Sequence, residues 1–118
     1  MNSHRTGRPL CQTERVFLRA LLVAIPNGQY FIEQLGTASV TSMDDGGQGG
    51  LRFHQSGPDR RFERQLVEYR FRDLDSVSVS ATVNIDQYGD LFELDLFKGD
   101  FSPLLAYPDT FELPPPLT

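Results

Sequence analysis

The stretch Val83–Lys98 constrains this chain more than any other. Val83 and Ile85, then Phe92, Leu94 and Leu96, alternate with Asn84, Asp86, Glu93 and Asp95 on either side of Gln87-Tyr88-Gly89-Asp90. A period of two sends successive side chains to opposite faces of an extended strand. A glycine-containing turn between two such runs makes a hairpin. One face of that hairpin must be buried, and whatever buries it sets the rest of the fold.

Two more runs extend the sheet. Val67, Tyr69 and Phe71 alternate with Glu68, Arg70 and Arg72, and Val77, Val79, Ala81, Val83 and Ile85 alternate with Ser78, Ser80, Thr82, Asn84 and Asp86. Clean alternation implies an antiparallel sheet with one covered face. Residues 38–43 and Leu51–His54 read as a ragged hairpin around Asp44-Asp45-Gly46-Gly47-Gln48-Gly49-Gly50, whose four glycines mark a loop. Ahead of the strands, Thr13 suits a helix N-cap, Glu14 the first turn, and Phe17, Leu18, Leu21, Leu22 and Ile25 recur at helical spacing up to Pro26. Gln29–Leu35 forms a shorter helix that Gly36 stops. The expected fold is α+β: one or two N-terminal helices packed on one face of a twisted antiparallel sheet of about four to five strands.

At 118 residues the chain makes one domain, expected over residues 9–107, with a flexible N-terminal tail at 1–8 that includes His4 and a Pro-rich C-terminal tail at 108–118. Eleven Lys and Arg against sixteen Asp and Glu leave a net charge of -5. That balance argues against nucleic acid and anionic membranes, whose affinity rests on basic side chains displacing counterions. No segment approaches the roughly 20 apolar residues of a membrane span, and the first apolar run, interrupted by Arg19, lacks a signal-peptide pattern. Cys11 stands alone, so no internal disulfide is called for. A cytoplasmic location is expected.

Opposing apolar residues to apolar residues predicts the register. Ile85 then faces Phe92, Val83 faces Leu94 and Ala81 faces Leu96, while Phe71 faces Val77, Tyr69 faces Val79 and Val67 faces Ala81. The outward face acquires rows: Arg64, Asn84 and Glu93; then Leu66, Thr82 and Asp95; then Glu68, Ser80 and Phe97. Leu66, Leu91 and Phe97 are out of place on a water-facing surface, since a contiguous apolar patch marks a contact. The preferred reading is that Phe101–Tyr107 folds back over this face; the alternative is a homodimer or partner interface. The candidate binding residues are therefore Asp44, Asp45, Arg64, Leu66, Asn84, Leu91, Glu93, Asp95 and Phe97.

Chemistry finds less support. Asn84, Asp86, Gly89 and Asp95 half-resemble a calcium loop, but an aromatic stands at the fifth position and the flanks are strands rather than helices. Asp44 and Asp45 suit a solvated turn. Glu93 and Asp95, about 7 Å apart along one strand face, lack a nucleophile, and His54 and Cys11 have no motif around them. Arg60, Arg61, Arg64, Arg70 and Arg72 are interleaved with Glu63, Glu68 and Asp73, a mixed-charge surface. No metal, cofactor or catalytic residue is assigned.

Met43-Asp44-Asp45-Gly46-Gly47, Leu51-x-Phe53, Val83-Asn84-x-Asp86-x-x-Gly89-x-Leu91-x-Glu93-Leu94-Asp95 and Lys98-x-Asp100-Phe101-x-Pro103-Leu104 resemble a family of small bacterial single-domain proteins of unknown function. The resemblance runs from about Pro9 to Leu105 and implies a stand-alone bacterial domain with no catalytic residues to carry over. The acidity and architecture are also similar to small immunity proteins that neutralise toxins. The leading function is a non-enzymatic interaction module, and the alternative is a small-molecule-binding protein or minor enzyme using Asp44, Asp45, Glu93 and Asp95.

Overall fold

The structure, a computed structural model, describes residues 7–55 and 57–108; most of both expected tails, with His4 and the triple proline, lies outside the described residues. Two helices, α1 (Gln12–Leu22) and α2 (Gly28–Leu35), precede five strands: β1 (Ser39–Ser42), β2 (Leu51–His54), β3 (Phe62–Arg72), β4 (Ser78–Asp86) and β5 (Leu91–Lys98). The strands form one antiparallel sheet in the order β1-β2-β5-β4-β3. After the β1-β2 hairpin the chain crosses to the far edge and returns as a meander, which brings β5 against β2. The expected α+β architecture, with helices N-terminal to the sheet, is what the chain adopts.

The helix ends differ from expectation for local reasons. Glu14 reaches back to accept the Cys11 N–H at 2.9 Å, which makes Cys11 rather than Thr13 the cap of α1. Leu22 ends α1, short of Pro26, because Ile25 N–H and Gly28 N–H donate to Leu22 O and Ile25 O in a tight turn. A Cβ on Gly28 would collide with the Leu22 carbonyl oxygen, so the turn requires glycine there. Gly36 follows α2 as expected but stays right-handed at φ -63°. Arg8, assigned to the tail, instead pairs with Val40 on the outer side of β1 through bonds of 2.8 and 2.7 Å.

Both helices cover one sheet face. Phe17, Leu18, Leu21 and Leu22 of α1 and Phe31, Ile32 and Leu35 of α2 pack with Val40, Leu51, Phe53, Val67, Tyr69, Val79, Ala81, Val83, Ile85, Leu91, Leu94 and Leu96. Burial of each large side chain contributes roughly 1.5–3 kcal/mol. Phe17 sits centrally, with Tyr69, Phe71 and Tyr107 rings 5.1–6.2 Å from its own.

Two register expectations need correction. Val83 does face Leu94 and Ala81 does face Leu96, but Ile85 faces Leu91, because Phe92 is an extra residue in a β-bulge. Across β3 and β4 the offset is two residues: Phe71 faces Val79, Tyr69 faces Ala81 and Val67 faces Val83. Two bulges, at Glu63 and Leu66, each add one residue to β3. An even offset preserves which face each residue occupies, so alternation alone does not reveal it.

Candidate interaction surface

Among the described residues no helix covers the second face of the sheet. Asn84 and Glu93 share a row there as expected, but the third member is Gln65; the bulges move Arg64 opposite Ile85. The next rows are Glu68, Thr82 and Asp95, then Arg70, Ser80 and Phe97. Leu66 and Leu91 do not belong to an exposed patch. Leu91 is fully buried in the core and Leu66 packs half-buried against it, both redirected by bulges.

The polar half of this face is a tied network. Asn84 Nδ2 donates to Glu93 Oε2 at 2.9 Å, and Arg52 Nη2 donates to Glu93 Oε1 at 3.2 Å. Phe92 is buried yet stands outside the main hydrophobic cluster, with the Arg52 and Arg60 guanidinium carbons 4.6 and 5.3 Å from its ring centre. Arg60 then donates to Asp86 Oδ2 at 2.8 Å, Phe53 O at 2.9 Å and Leu91 O at 3.0 Å. Asp86 Oδ1 accepts the Tyr88 and Asp90 N–H groups. Burial pushes the Asp86 carboxyl up, but the Asp90 N–H, Arg60 and the Tyr88 N–H together hold it below its ordinary value. The calcium-like spacing thus serves the hairpin turn. Asp95 is raised, first by partial burial and then by Glu93 and Asp45, with Arg52 opposing.

Asp45 has a structural task. Its two oxygens accept Gln48 N–H and Gly50 N–H, both at 3.0 Å, and close the glycine loop. Asp44 instead lines a shallow cleft of about 290 Å³ with Thr41, Ser42, Met43 and Arg52. The loop receives the C-terminal segment: Leu104 N–H donates to Gly47 O, and Tyr107 OH to Gly49 O at 2.6 Å. Gly47 and Gly49 have φ of +84° and +95°, and Cβ atoms there would press on Pro103 and Leu104.

Apart from Phe101, the described C-terminal segment therefore does not cover the outward face. Leu104 and Tyr107 pack on the core from the helix side. The anchor is Lys98, fully buried at a core-facing position opposite Val79. Its Nζ donates to Asp73 Oδ2 at 2.8 Å, Asp75 Oδ2 at 2.7 Å and Pro103 O at 3.2 Å. Asp73 also accepts the Leu74, Leu105 and Ala106 N–H groups. Burial pushes its carboxyl up, but the Leu105 N–H, Lys98 and the other N–H donors outweigh this and bring it to about 2.

Phe97 is left 53% exposed and Phe101 68% exposed, their rings edge-to-face at 5.1 Å. Phe101 holds a left-handed φ of +63°, a conformation sparsely used by side-chain-bearing residues. An apolar pair on a constrained backbone, with Asp95 in the next row, is the part of the outward face that solvation does not explain. Arg60 and Asp73, expected on a mixed-charge surface, lie instead in buried ion pairs, and Lys98 had been given no role. The available signal was parity: Lys98 follows Leu94 and Leu96 on the buried side of β5.

Among the described residues no three His, Cys, Asp or Glu side chains are grouped to hold a metal, and no helix is long and apolar enough to cross a membrane. A protein-family model described as "Domain of unknown function (DUF6984)" matches residues 7–108. Neither the curated proteins nor the solved structures contain a match.

Proposed function

The chain belongs to the DUF6984 family, a domain family of unknown function, and from that premise we propose that it is a non-enzymatic interaction module that binds a basic protein through the open face of its sheet. The observation that carries this reading is the Phe97–Phe101 pair, exposed beside carboxylates on the sheet face that, among the described residues, neither the helices nor the chain after Phe101 covers. Aromatic anchors supply much of the energy of protein contacts. Asp44, Glu68, Glu93 and Asp95 outnumber Arg52, Arg70 and Arg72 around it, and Arg52 and Arg70 are each already paired with a carboxylate. With a net charge of -5, such a face steers towards cationic surfaces. An immunity-like protein capping a basic toxin in the bacterial cytoplasm is the specific version of this proposal.

The acidic-cluster alternative has weaker support. Asp45 and Glu93 are engaged by loop N–H groups, Asn84 and Arg52. Of the four carboxylates only Asp44 lines the adjacent cleft.

Affinity capture from the native host with wild-type, Phe97→Asp and Asp95→Lys chains tests the proposal. The expected result is a basic partner whose affinity falls with salt and drops about 30-fold for Phe97→Asp, as for loss of an anchoring aromatic. A partner held equally by all three chains overturns the reading.

A further inference from the structure

Among the described residues the Asp95 carboxylate has no hydrogen-bond donor and no cation within ion-pair distance. Thr82, its neighbour on β4, donates through Oγ1 to the Asp95 backbone oxygen instead. Glu93, two residues back on the same face, is served differently. The β2–β5 pairing sets Arg52 beside it, and the guanidinium both donates to Glu93 Oε1 at 3.2 Å and lies 4.6 Å from the Phe92 ring centre. Leu51 comes next, beside Leu94. One step further along that register, the place beside Asp95 falls to Gly50, which offers no side chain. A Cβ there would meet Asp45 Oδ2 at 2.7 Å, so a carboxylate rather than a cation fills that place. Arg70, two strands away in the row of Phe97, is engaged by Glu68. Asp95 and Phe97 thus repeat the carboxylate and the aromatic of the Arg52 arrangement and lack its arginine.

Resting on the reading that a basic protein docks on this face, we propose that the partner supplies the missing group: an arginine whose guanidinium edge meets the Asp95 carboxylate and whose flat face lies on the Phe97 ring. Side chains two residues apart on one strand face are separated by about 7 Å. A planar guanidinium spans that gap, with two parallel N–H···O bonds at its edge and its π face on the ring. The Phe97 ring is 53% exposed and open to such stacking. A lysine ammonium is a compact point charge with no flat face, and it holds its water more tightly. Charge complementarity points the same way, because Glu93 and Asp45 both act on Asp95 and a cation seated there relieves the repulsion from each.

The test is an NMR titration of the full chain with N-acetyl-arginine methylamide and, separately, N-acetyl-lysine methylamide at matched ionic strength, following the Asp95 carboxyl carbon and the Phe97 ring protons. The arginine probe should shift both signals together and bind about fivefold more tightly than the lysine probe. Asp95→Asn and Phe97→Leu should each weaken arginine binding about threefold or more. Thermal unfolding of the variants is followed in parallel; if either is unfolded, the wild-type signals and the arginine-to-lysine ratio decide. Wild-type signals that stay fixed up to about 100 mM arginine probe, or lysine bound as tightly as arginine, overturn the inference. Affinity capture separates this inference from the reading beneath it. A partner lost by Phe97→Asp but held fully by Asp95→Asn overturns the arginine seat alone, whereas a partner held equally by both variants overturns the basic-partner reading as well.

Discussion

Replacing Arg60 with methionine is expected to lower the unfolding free energy by about 3–5 kcal/mol, the cost of removing one partner of a buried ion pair. The Arg60 side chain is 12% exposed and that of Asp86 is 0% exposed. Without the guanidinium, the Asp86 carboxylate keeps only its two turn N–H donors. The carbonyls of Phe53 and Leu91 also lose their donor, and Phe92 loses one of the two cations against its ring. One side chain thus joins β2, the β4-β5 turn and the bulge that aims Leu91 into the core. Urea titration checks this, with the exposed Arg61→Met as control, expected within about 0.5 kcal/mol of wild type. Equal midpoints for the two variants would contradict the assignment.

The second large effect falls on the other buried ion cluster. Asp73→Asn is expected to cost about 3 kcal/mol near neutral pH, since the buried Lys98 then keeps only the partly exposed Asp75 carboxylate and the Pro103 carbonyl. The wild type should show the corresponding pH dependence. The Asp73 carboxyl is depressed from 3.8 to about 2 in the folded chain. A depressed folded pKa adds stability that is fully present above the unfolded value and lost as pH falls through the folded one. The wild-type advantage should therefore be complete above about pH 4 and shrink towards pH 2. Amide exchange provides a local readout: Leu105 and Ala106, both donors to Asp73, should exchange faster in the variant, while Val83 and Leu94 in the sheet centre keep their relative protection. Unchanged exchange at Leu105 and Ala106 would show that Asp73 does not hold this segment.

Most of the architecture was legible because burial on one face writes itself into alternation. Five strands, two helices and the Gln87–Asp90 turn follow from spacing and turn residues alone. The errors of register share one cause, the β-bulge, a backbone event with no period of its own. The bulge at Phe92 moved Leu91 from the outward list into the core, those at Glu63 and Leu66 replaced Arg64 by Gln65 in the Asn84–Glu93 row, and their sum gave the two-residue offset of β3. The destination of Phe101–Tyr107 was hidden for another reason. It depends on Lys98 and Asp73, separated by 25 residues, meeting in the interior. Of the candidate residues, Asn84, Glu93, Asp95 and Phe97 share the open face, Asp44 borders it through the Arg52 cleft, and Asp45 supports the glycine loop. Phe101 is the residue that the sequence reading placed as a cover and that the structure leaves bare.

The proposed function rests on one claim, that the face bearing Phe97 and Phe101 is the working surface of the domain. Hydroxyl-radical footprinting of the chain, alone and in complex with its captured partner, tests this most directly. In the free chain Phe97 and Phe101 should react readily and Phe17 should be protected. In the complex both exposed rings should lose reactivity together. Undiminished labelling of Phe97 and Phe101 in the complex, with protection appearing instead around the loop at residues 44–50, would contradict the claim.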